Sequence, residues 1–123
     1  MASVLIIDDS RTSRKMLKNL LEKDGHTIID EAVNGEEGVE KYKALNPDIV
    51  TMDITMPILD GIEALKLIME YNTSAKVVMV TAAGQKNKMM DAVKYGATEF
   101  IAKPFEPNQI STIINKVIQD QAK

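Results

Sequence analysis

Short runs of β-branched and aliphatic residues alternate along the chain with longer stretches whose apolar residues recur at helical spacing. Each short run predicts a buried strand, and each longer stretch predicts a helix with one apolar face. The predicted strands are Val4–Ile7, Thr27–Ala32, Ile49–Asp53, Lys76–Thr81 and Glu99–Ala102. Strict alternation of strands with helices is typical of βαβ units, so we expect an α/β domain.

Capping and turn residues bound the predicted helices. Ser10 is placed to cap the first helix and Gly25 to end it, and Asn34-Gly35 predicts a turn before the second helix. The helices are predicted between Ser10 and Gly25, over Glu37–Leu45, from Asp60-Gly61 through Met69, over Gln85–Tyr95 and over Pro107–Asp120. His26 follows Gly25 in a turn, and the chain has no second histidine, so we expect an exposed side chain rather than a ligand.

The fold class follows from the way such units connect. Crossovers between parallel strands are right-handed, so five strands alternating with five helices form one parallel sheet with helices on both faces. We expect a doubly wound, flavodoxin-like α/β fold with the strand order 2-1-3-4-5, an order that this class commonly adopts. The more polar strand Thr27–Ala32 suits the edge of such a sheet.

Length, charge and composition narrow the classes of function. The 123 residues fit one domain spanning 1–123, and the net charge of −3 argues against a nucleic-acid-binding surface. The absence of cysteine excludes disulfides, thiolate catalysis and zinc–thiolate sites. No apolar run has the length of a membrane span or the pattern of a signal peptide, so we expect a cytoplasmic protein without membrane insertion.

Polar side chains with complementary chemistry stand at the ends of four predicted strands. Asp8-Asp9 follow the first strand, Asp53 ends the third, Thr81 ends the fourth and Lys103 follows the fifth. Because parallel strands bring their carboxyl ends to one edge, we expect these side chains to converge there. Crowded carboxylates repel one another unless a hard divalent cation such as Mg²⁺ neutralises them. A lysine and a hydroxyl beside them would stabilise a phosphoryl group during its transfer.

The same residues resemble a known family, the receiver domains of two-component response regulators. The resemblance rests on the acid pair after the first strand, Asp53 followed by Met56-Pro57 and Asp60-Gly61, Thr81 closing the fourth strand, and Lys103-Pro104. These motifs occur in the family's order over essentially the full chain. The stretch Thr51–Pro57 and the Gly84-Gln85 start of the fourth helix are most similar to stand-alone chemotaxis regulators within the family. The resemblance also implies a cis peptide bond at Lys103-Pro104.

The resemblance implies a metal-dependent role for the acids. Asp53 would accept a phosphoryl group. Together with Asp9 and the backbone carbonyl of Thr55, it would also bind Mg²⁺, with Mn²⁺ as an alternative ion. Asp8 would contribute to the metal site through a water molecule.

The resemblance likewise implies how phosphorylation becomes a signal. Lys103 and Thr81 would contact the phosphoryl oxygens, and Thr81 would form a switch with Phe100. When the hydroxyl turns toward the phosphoryl group, Phe100 would fill the space that it leaves. Because phenylalanine has no hydroxyl, its two positions would differ by packing and burial alone. The alternative is that Phe100 is a fixed core residue and that the switch runs through the loop from Ala82 to Gln85.

The implied protein is a signalling switch rather than a conventional enzyme. A histidine kinase or a phosphotransfer domain would donate the phosphoryl group, and the chain would catalyse its own phosphorylation and slow hydrolysis. Thr55 and Ala83 would set the lifetime of the phosphorylated state. We expect a monomer that binds a downstream target protein, such as a flagellar motor component, and no nucleic acid.

Four rival functions share features with the sequence. A pseudo-receiver acting only as a binding module would keep the fold and lose the site residues, which is opposite to the pattern here. A receiver from a pathway other than chemotaxis, such as a phosphorelay intermediate, would carry the same motifs. A phosphotransferase of the haloacid dehalogenase kind also uses a strand-end Asp nucleophile, but Thr55 stands where that chemistry needs a general acid. A flavodoxin-like electron carrier shares the fold, but Asp8-Asp9 would repel the flavin phosphate.

Overall fold

The computed structural model describes residues 2–82 and 84–121, in which five strands alternate with five helices. The strands are β1 (Ser3–Ile7), β2 (Thr27–Ala32), β3 (Ile49–Asp53), β4 (Val77–Thr81) and β5 (Glu99–Ala102). The helices are α1 (Arg11–Lys23), α2 (Gly35–Leu45), α3 (Gly61–Tyr71), α4 (Lys86–Lys94) and α5 (Pro107–Gln121). Every predicted element is present, and only the bounds differ. Ala83, to which the resemblance gave a role in the phosphorylation lifetime, lies outside the described residues.

The five strands form one parallel sheet in the order β2-β1-β3-β4-β5. Val4 pairs with Ile49, Val50 with Val77 and Val78 with Glu99. The polar strand β2 lies at the edge, where four of its six residues are only half-buried. This arrangement confirms the predicted doubly wound α/β fold and its strand order.

Two apolar layers hold the helices against the two faces of the sheet. One contains Leu5 and Met52 with residues of α2, α3 and α4, and the other contains Ile6 with residues of α1 and α5. Each such fully buried aliphatic side chain contributes about 1.5–3 kcal/mol relative to exposure. Successive strand residues point to opposite faces of the sheet. Asp8 and Asp53 therefore point to the face that is covered by α1 and α5, the same face as Ile6 and Ile49. The two acids therefore leave the sheet on the same side.

Helix α2 begins two residues earlier than predicted, and α4 is slightly shorter than predicted. Asn34 is the N-cap of α2 rather than part of a free turn, because its Oδ1 accepts a hydrogen bond from the Glu37 N–H at 2.8 Å. Gly35 is the first helical residue. Gln85, which was predicted to be helical, is the N-cap of α4 and makes no side-chain bond to that helix.

The prediction of an exposed His26 is wrong. The side chain is buried, and its Nδ1 accepts a hydrogen bond from the Ala2 N–H at 3.2 Å. Burial also lowers the pKa of His26 from its ordinary value of 6.5. The turn at Gly25 returns the chain beneath α1, where the His26 N–H donates to the Leu21 carbonyl at 3.0 Å. His26 is thus a neutral packing residue at the edge of the sheet opposite the acids.

The Lys103–Pro104 peptide bond is cis, as expected. Among the described helices, none is long and apolar enough to cross a bilayer.

Candidate functional site

The carboxyl ends of β1, β3 and β5 bring four charged side chains together. Asp8 and Asp9 follow β1, Asp53 is the last residue of β3, and Lys103 follows β5. Each of the three acids places a carboxylate oxygen within 4.8 Å of those of the other two. Asp8 and Asp53 are buried, whereas Asp9 is exposed. The structure therefore brings together the acids and the lysine that the sequence placed at one edge of the sheet.

The Asp8 carboxylate is held by the backbone two residues further along the chain, and it faces Lys103. Its Oδ1 accepts a hydrogen bond from the Ser10 N–H at 2.8 Å. Its Oδ2 is buried and accepts no hydrogen bond from the described residues, although the ammonium group of Lys103 lies 3.3 Å away. A buried carboxylate oxygen normally accepts a hydrogen bond. Asp8 Oδ2 is therefore available to bind a cation or to accept a hydrogen bond from a ligand in the site.

Lys103 lies between the two buried acids. Its Nζ is 3.3 Å from Asp8 Oδ2 and 3.6 Å from Asp53 Oδ1. The backbone N–H of Lys103 donates to the Thr81 carbonyl at 2.7 Å, which fixes the chain as it leaves β5. The positive charge of this lysine offsets only part of the negative charge of the three acids.

Burial and the neighbouring acids raise the pKa of Asp53. Burial is the largest cause that raises this pKa, from an ordinary value of 3.8 to about 6. The charge of Asp8 raises it further, and Asp9 adds a smaller effect. Two groups oppose the rise, Lys103 and the Ile54 N–H, which donates to Asp53 Oδ1 at 3.0 Å. A cation beside Asp53 would therefore relieve an unfavourable charge.

The donor set fits Mg²⁺. This ion prefers hard oxygen ligands, takes one or two carboxylates and keeps several waters. Asp8, Asp9 and Asp53 supply such oxygens, and the spare acceptor of Asp8 Oδ2 is among them. Thr55 lies in the exposed loop two residues beyond Asp53, and its hydroxyl accepts a hydrogen bond from Gln85 Nε2 at 2.6 Å.

Thr81 and Phe100 occupy neighbouring strands but are not in the acidic cluster. Thr81 ends β4 and is buried, and its hydroxyl donates to the Ile101 carbonyl at 3.4 Å. Phe100 pairs with Met79 and packs, half-buried, against the apolar layer beneath α4. For the hydroxyl of Thr81 to reach a phosphoryl group on Asp53, it would have to leave Ile101.

Two residues that support the site were not assigned to it from the sequence. Arg14, one of several basic residues of α1, donates from Nη1 to the Asp8 carbonyl at 2.8 Å and pairs with Glu31 at 3.1 Å. Gln85 links the loops after β3 and β4. Nothing in the spacing of Arg14 distinguished it from the other basic residues of α1.

A doubly wound sheet with a cluster of three acids and a lysine at its carboxyl edge is typical of a class of α/β proteins that handle phosphoryl groups. The sequence model of the response regulator receiver domain matches residues 4–115. The chain therefore belongs to the response regulator receiver domain family.

Relatives and solved structures agree with this assignment. The chain is 50% identical over 114 residues to the chemotaxis protein CheY of Thermotoga maritima, covering 93% of this chain and 95% of the relative. It is 46% identical over 115 residues to CheY of Bacillus subtilis, covering 94% and 96%. A response regulator receiver domain protein from Clostridium thermocellum superposes with a TM-score of 0.93 at 31% identity, covering 99% of this chain and 98% of that one.

A further structure that it resembles contains bound groups. The CheX-CheY-BeF3-Mg+2 complex from Borrelia burgdorferi gives a TM-score of 0.89 at 42% identity, covering 94% of this chain and 88% of that one. The predicted class of function, a phosphorylation-dependent signalling switch homologous to CheY, is confirmed. Neither a receiver of another pathway nor a haloacid dehalogenase-like phosphotransferase is favoured by these relatives.

Mg²⁺ should raise the thermal stability of the chain, and Asp9→Ala should abolish that rise. Binding to the folded state alone stabilises it by mass action, by about 3 kcal/mol at roughly a hundredfold excess over Kd. Differential scanning calorimetry with and without Mg²⁺ measures the shift. Glu22→Ala, which removes an exposed acid of α1, is the control and should respond like the wild type. A full response to Mg²⁺ in Asp9→Ala would place the metal elsewhere.

Proposed function

We propose that Asp53 accepts a phosphoryl group from the phosphohistidine of a histidine kinase or phosphotransfer domain. The observation that carries this proposal is the position of its carboxylate. It is buried at the end of a central strand, beside two further acids, with Lys103 Nζ 3.6 Å away. A carboxylate held rigidly in this way, with cationic groups next to it, is oriented for attack on phosphorus.

The groups in the site define the steps of phosphoryl transfer to Asp53. A carboxylate oxygen of Asp53 forms the bond to phosphorus while the bond to the donor nitrogen breaks. The ammonium group of Lys103 stabilises the charge on the phosphoryl oxygens, and the Thr81 hydroxyl, once it leaves the Ile101 carbonyl, donates a hydrogen bond to them.

The metal ion would be held by Asp9, Asp53 and the backbone carbonyl of Thr55, and Asp8 would act on it through water. When bound, Mg²⁺, or Mn²⁺ in its place, supplies positive charge for the phosphoryl oxygens. The acidic cluster supports this part of the proposal. The chain thus promotes its own phosphorylation and later hydrolysis, and it is not a conventional enzyme.

The proposed pathway is chemotaxis, with a protein as the output partner. The names of the relatives from Thermotoga maritima and Bacillus subtilis support it. So does the Borrelia burgdorferi complex, in which CheY is bound to CheX. We place the chain in the cytoplasm as a single monomeric domain spanning 1–123, with a kinase upstream and a target such as a flagellar motor component downstream.

Incubation with Mg²⁺ and acetyl phosphate tests the proposal directly. Intact mass should show one added phosphoryl group, and no group should be added when a chelator is present from the start of the incubation. Borohydride reduction of the acyl phosphate followed by peptide mapping should mark Asp53 alone. Mapping to Asp8 or Asp9, or labelling that does not depend on Mg²⁺, would overturn the assignment.

Thr81→Ala should uncouple phosphorylation from the change at Phe100. The hydroxyl gains a hydrogen bond only when a phosphoryl group is present, so its removal takes away the differential interaction that would shift the equilibrium. Side-chain NMR of Phe100, with and without a phosphoryl mimic, should show two ring environments in the wild type and one in the variant. Thr73→Ala, at an exposed threonine between α3 and β4, is the control. One unchanged Phe100 environment in the wild type would move the switch to the loop from Ala82 to Gln85.

A further inference from the structure

The side chain of Gln85 joins the loops that follow Asp53 and Thr81. Its Oε1 accepts a hydrogen bond from the Ala82 N–H, and its Nε2 donates to Thr55 Oγ1, both at 2.6 Å. Thr55 stands two residues after Asp53, and Ala82 stands next to Thr81. The carboxamide therefore links the β3–α3 and β4–α4 loops at the edge of the sheet where the acids converge.

The orientation of this carboxamide is fixed by its partners. A backbone N–H can only donate, so the Gln85 atom that faces Ala82 must be the oxygen. The nitrogen then faces Thr55, whose hydroxyl oxygen can accept. Gln85 is also the N-cap residue of α4, yet its side chain makes no bond to the helix backbone. The side chain of Gln85 therefore links the two loops and does not cap the helix.

The link lies between loops at the carboxyl edge of the sheet, the side from which Asp53 can be reached. Asp53 is 6% exposed and ends a central strand that is covered on both faces by helices. Water and small phosphodonors therefore approach it past the loops at the carboxyl edge. Thr55 is exposed and Gln85 is partly exposed, so the hydrogen bond between them lies near the surface of these two loops.

We propose that Gln85 is a positioning residue that restricts access to Asp53 by holding Thr55 against the β4–α4 loop. The inference rests on the proposed phosphorylation of Asp53. Hydrolysis joins a water oxygen to phosphorus, breaks the bond to the Asp53 carboxylate and releases inorganic phosphate. Phosphorylation by acetyl phosphate joins phosphorus to the carboxylate and releases acetate. Because both small molecules pass the same edge, the Gln85 link slows both reactions.

Loss of the link should accelerate both reactions together. Gln85→Ala and Thr55→Val each remove one partner of the hydrogen bond, and the valine keeps the bulk and the backbone carbonyl of Thr55. A net hydrogen bond of ordinary strength corresponds to about a fivefold change in the open population, so each rate should rise about fivefold. The double variant should be no faster than either single variant, because all three lack the same bond. Asn87→Ala, on the exposed first turn of α4, is the control and should keep both wild-type rates.

Two measurements decide the proposal. Intact mass follows labelling by acetyl phosphate and Mg²⁺, and then decay after the donor is removed. Hydrogen exchange of the Ala82 amide, which needs no phosphorylation, should be faster in Gln85→Ala because that amide donates to the carboxamide. A link that merely ordered the loops would slow labelling when removed, whereas a link that restricts access speeds both labelling and decay.

The possible failures can be told apart. If the wild type takes no phosphoryl group at all, both the phosphoacceptor role of Asp53 and the access role of Gln85 are overturned. If the wild type is labelled on Asp53 but Gln85→Ala changes neither rate, slows either one, or combines additively with Thr55→Val, the access role of Gln85 is overturned while the phosphoacceptor role stands.

Discussion

Asp53→Asn should abolish phosphorylation and, without Mg²⁺, raise the free energy of unfolding by up to about 3 kcal/mol at about pH 8. The substitution keeps the shape of the side chain but removes the anionic oxygen that would attack phosphorus. It also removes a charge that burial and the nearby Asp8 disfavour, since they raise the pKa of Asp53 to about 6. If Asp53 is the phosphoacceptor, the same carboxylate supplies reactivity and lowers stability, as functional groups often do.

The gain in stability should depend on pH with a definite sign. The pKa of Asp53 rises from 3.8 to about 6 on folding, so the folded chain binds this proton more tightly than the unfolded chain. The corresponding stability is fully present below pH 3.8 and is lost as the pH rises through about 6. Asparagine does not titrate, so the advantage of Asp53→Asn should be largest above about pH 6 and should disappear toward about pH 4.

Urea denaturation in the presence of a chelator, repeated across this pH range, measures the difference. Asp91→Asn is the matched control, because Asp91 is exposed on α4 and water solvates its charge in both states. An advantage that grows on acidification would contradict the account of the crowded acids. A stoichiometric phosphoryl label in Asp53→Asn would separately remove Asp53 as the acceptor.

The strand ends explain why so much of the site was predictable from the sequence. In a parallel sheet, the order of the strands alone decides which residues share an edge, and hydrophobic periodicity located every strand. Asp8, Asp53 and Lys103 are therefore together in the structure because each follows an apolar run that had to be a strand. The polarity of β2 likewise predicted its edge position.

The residues that the sequence did not assign lie where side chains cross between elements. His26 is buried because the turn after α1 returns it to the Ala2 backbone, a contact that local turn chemistry does not encode. Arg14 and Gln85 are long polar side chains that reach over neighbouring loops. Helical spacing predicts which face of a helix such a residue occupies. It does not predict the partner of the side chain, because that depends on how the helix packs against other elements.

Gly61→Ala should destabilise the fold by about 3 kcal/mol, although alanine is normally the better helix former by about 1 kcal/mol. Gly61 is the first residue of α3, and its N–H donates to the Ile54 carbonyl at 2.7 Å. A methyl group there would overlap the backbone carbonyl oxygen of Asp53 and lie 2.9 Å from Ile54 Cα. These are main-chain atoms of β3 and the loop after it, so they cannot move aside as a flexible side chain could. Urea denaturation measures the loss.

The same contact ties the helix to the chemistry of the site. To relieve the overlap, the start of α3 must shift or the end of β3 must move, and the second response would displace the Asp53 carboxylate. Gly61→Ala should therefore also weaken the Mg²⁺-dependent rise in melting temperature. Gly84→Ala is the control, because a methyl group there meets no described residue within 4 Å apart from its chain neighbours, and the left-handed φ of 88° should cost only about 1 kcal/mol. Equal stability of Gly61→Ala and the wild type would show that the close approach of α3 to β3 does not hold Asp53 in place.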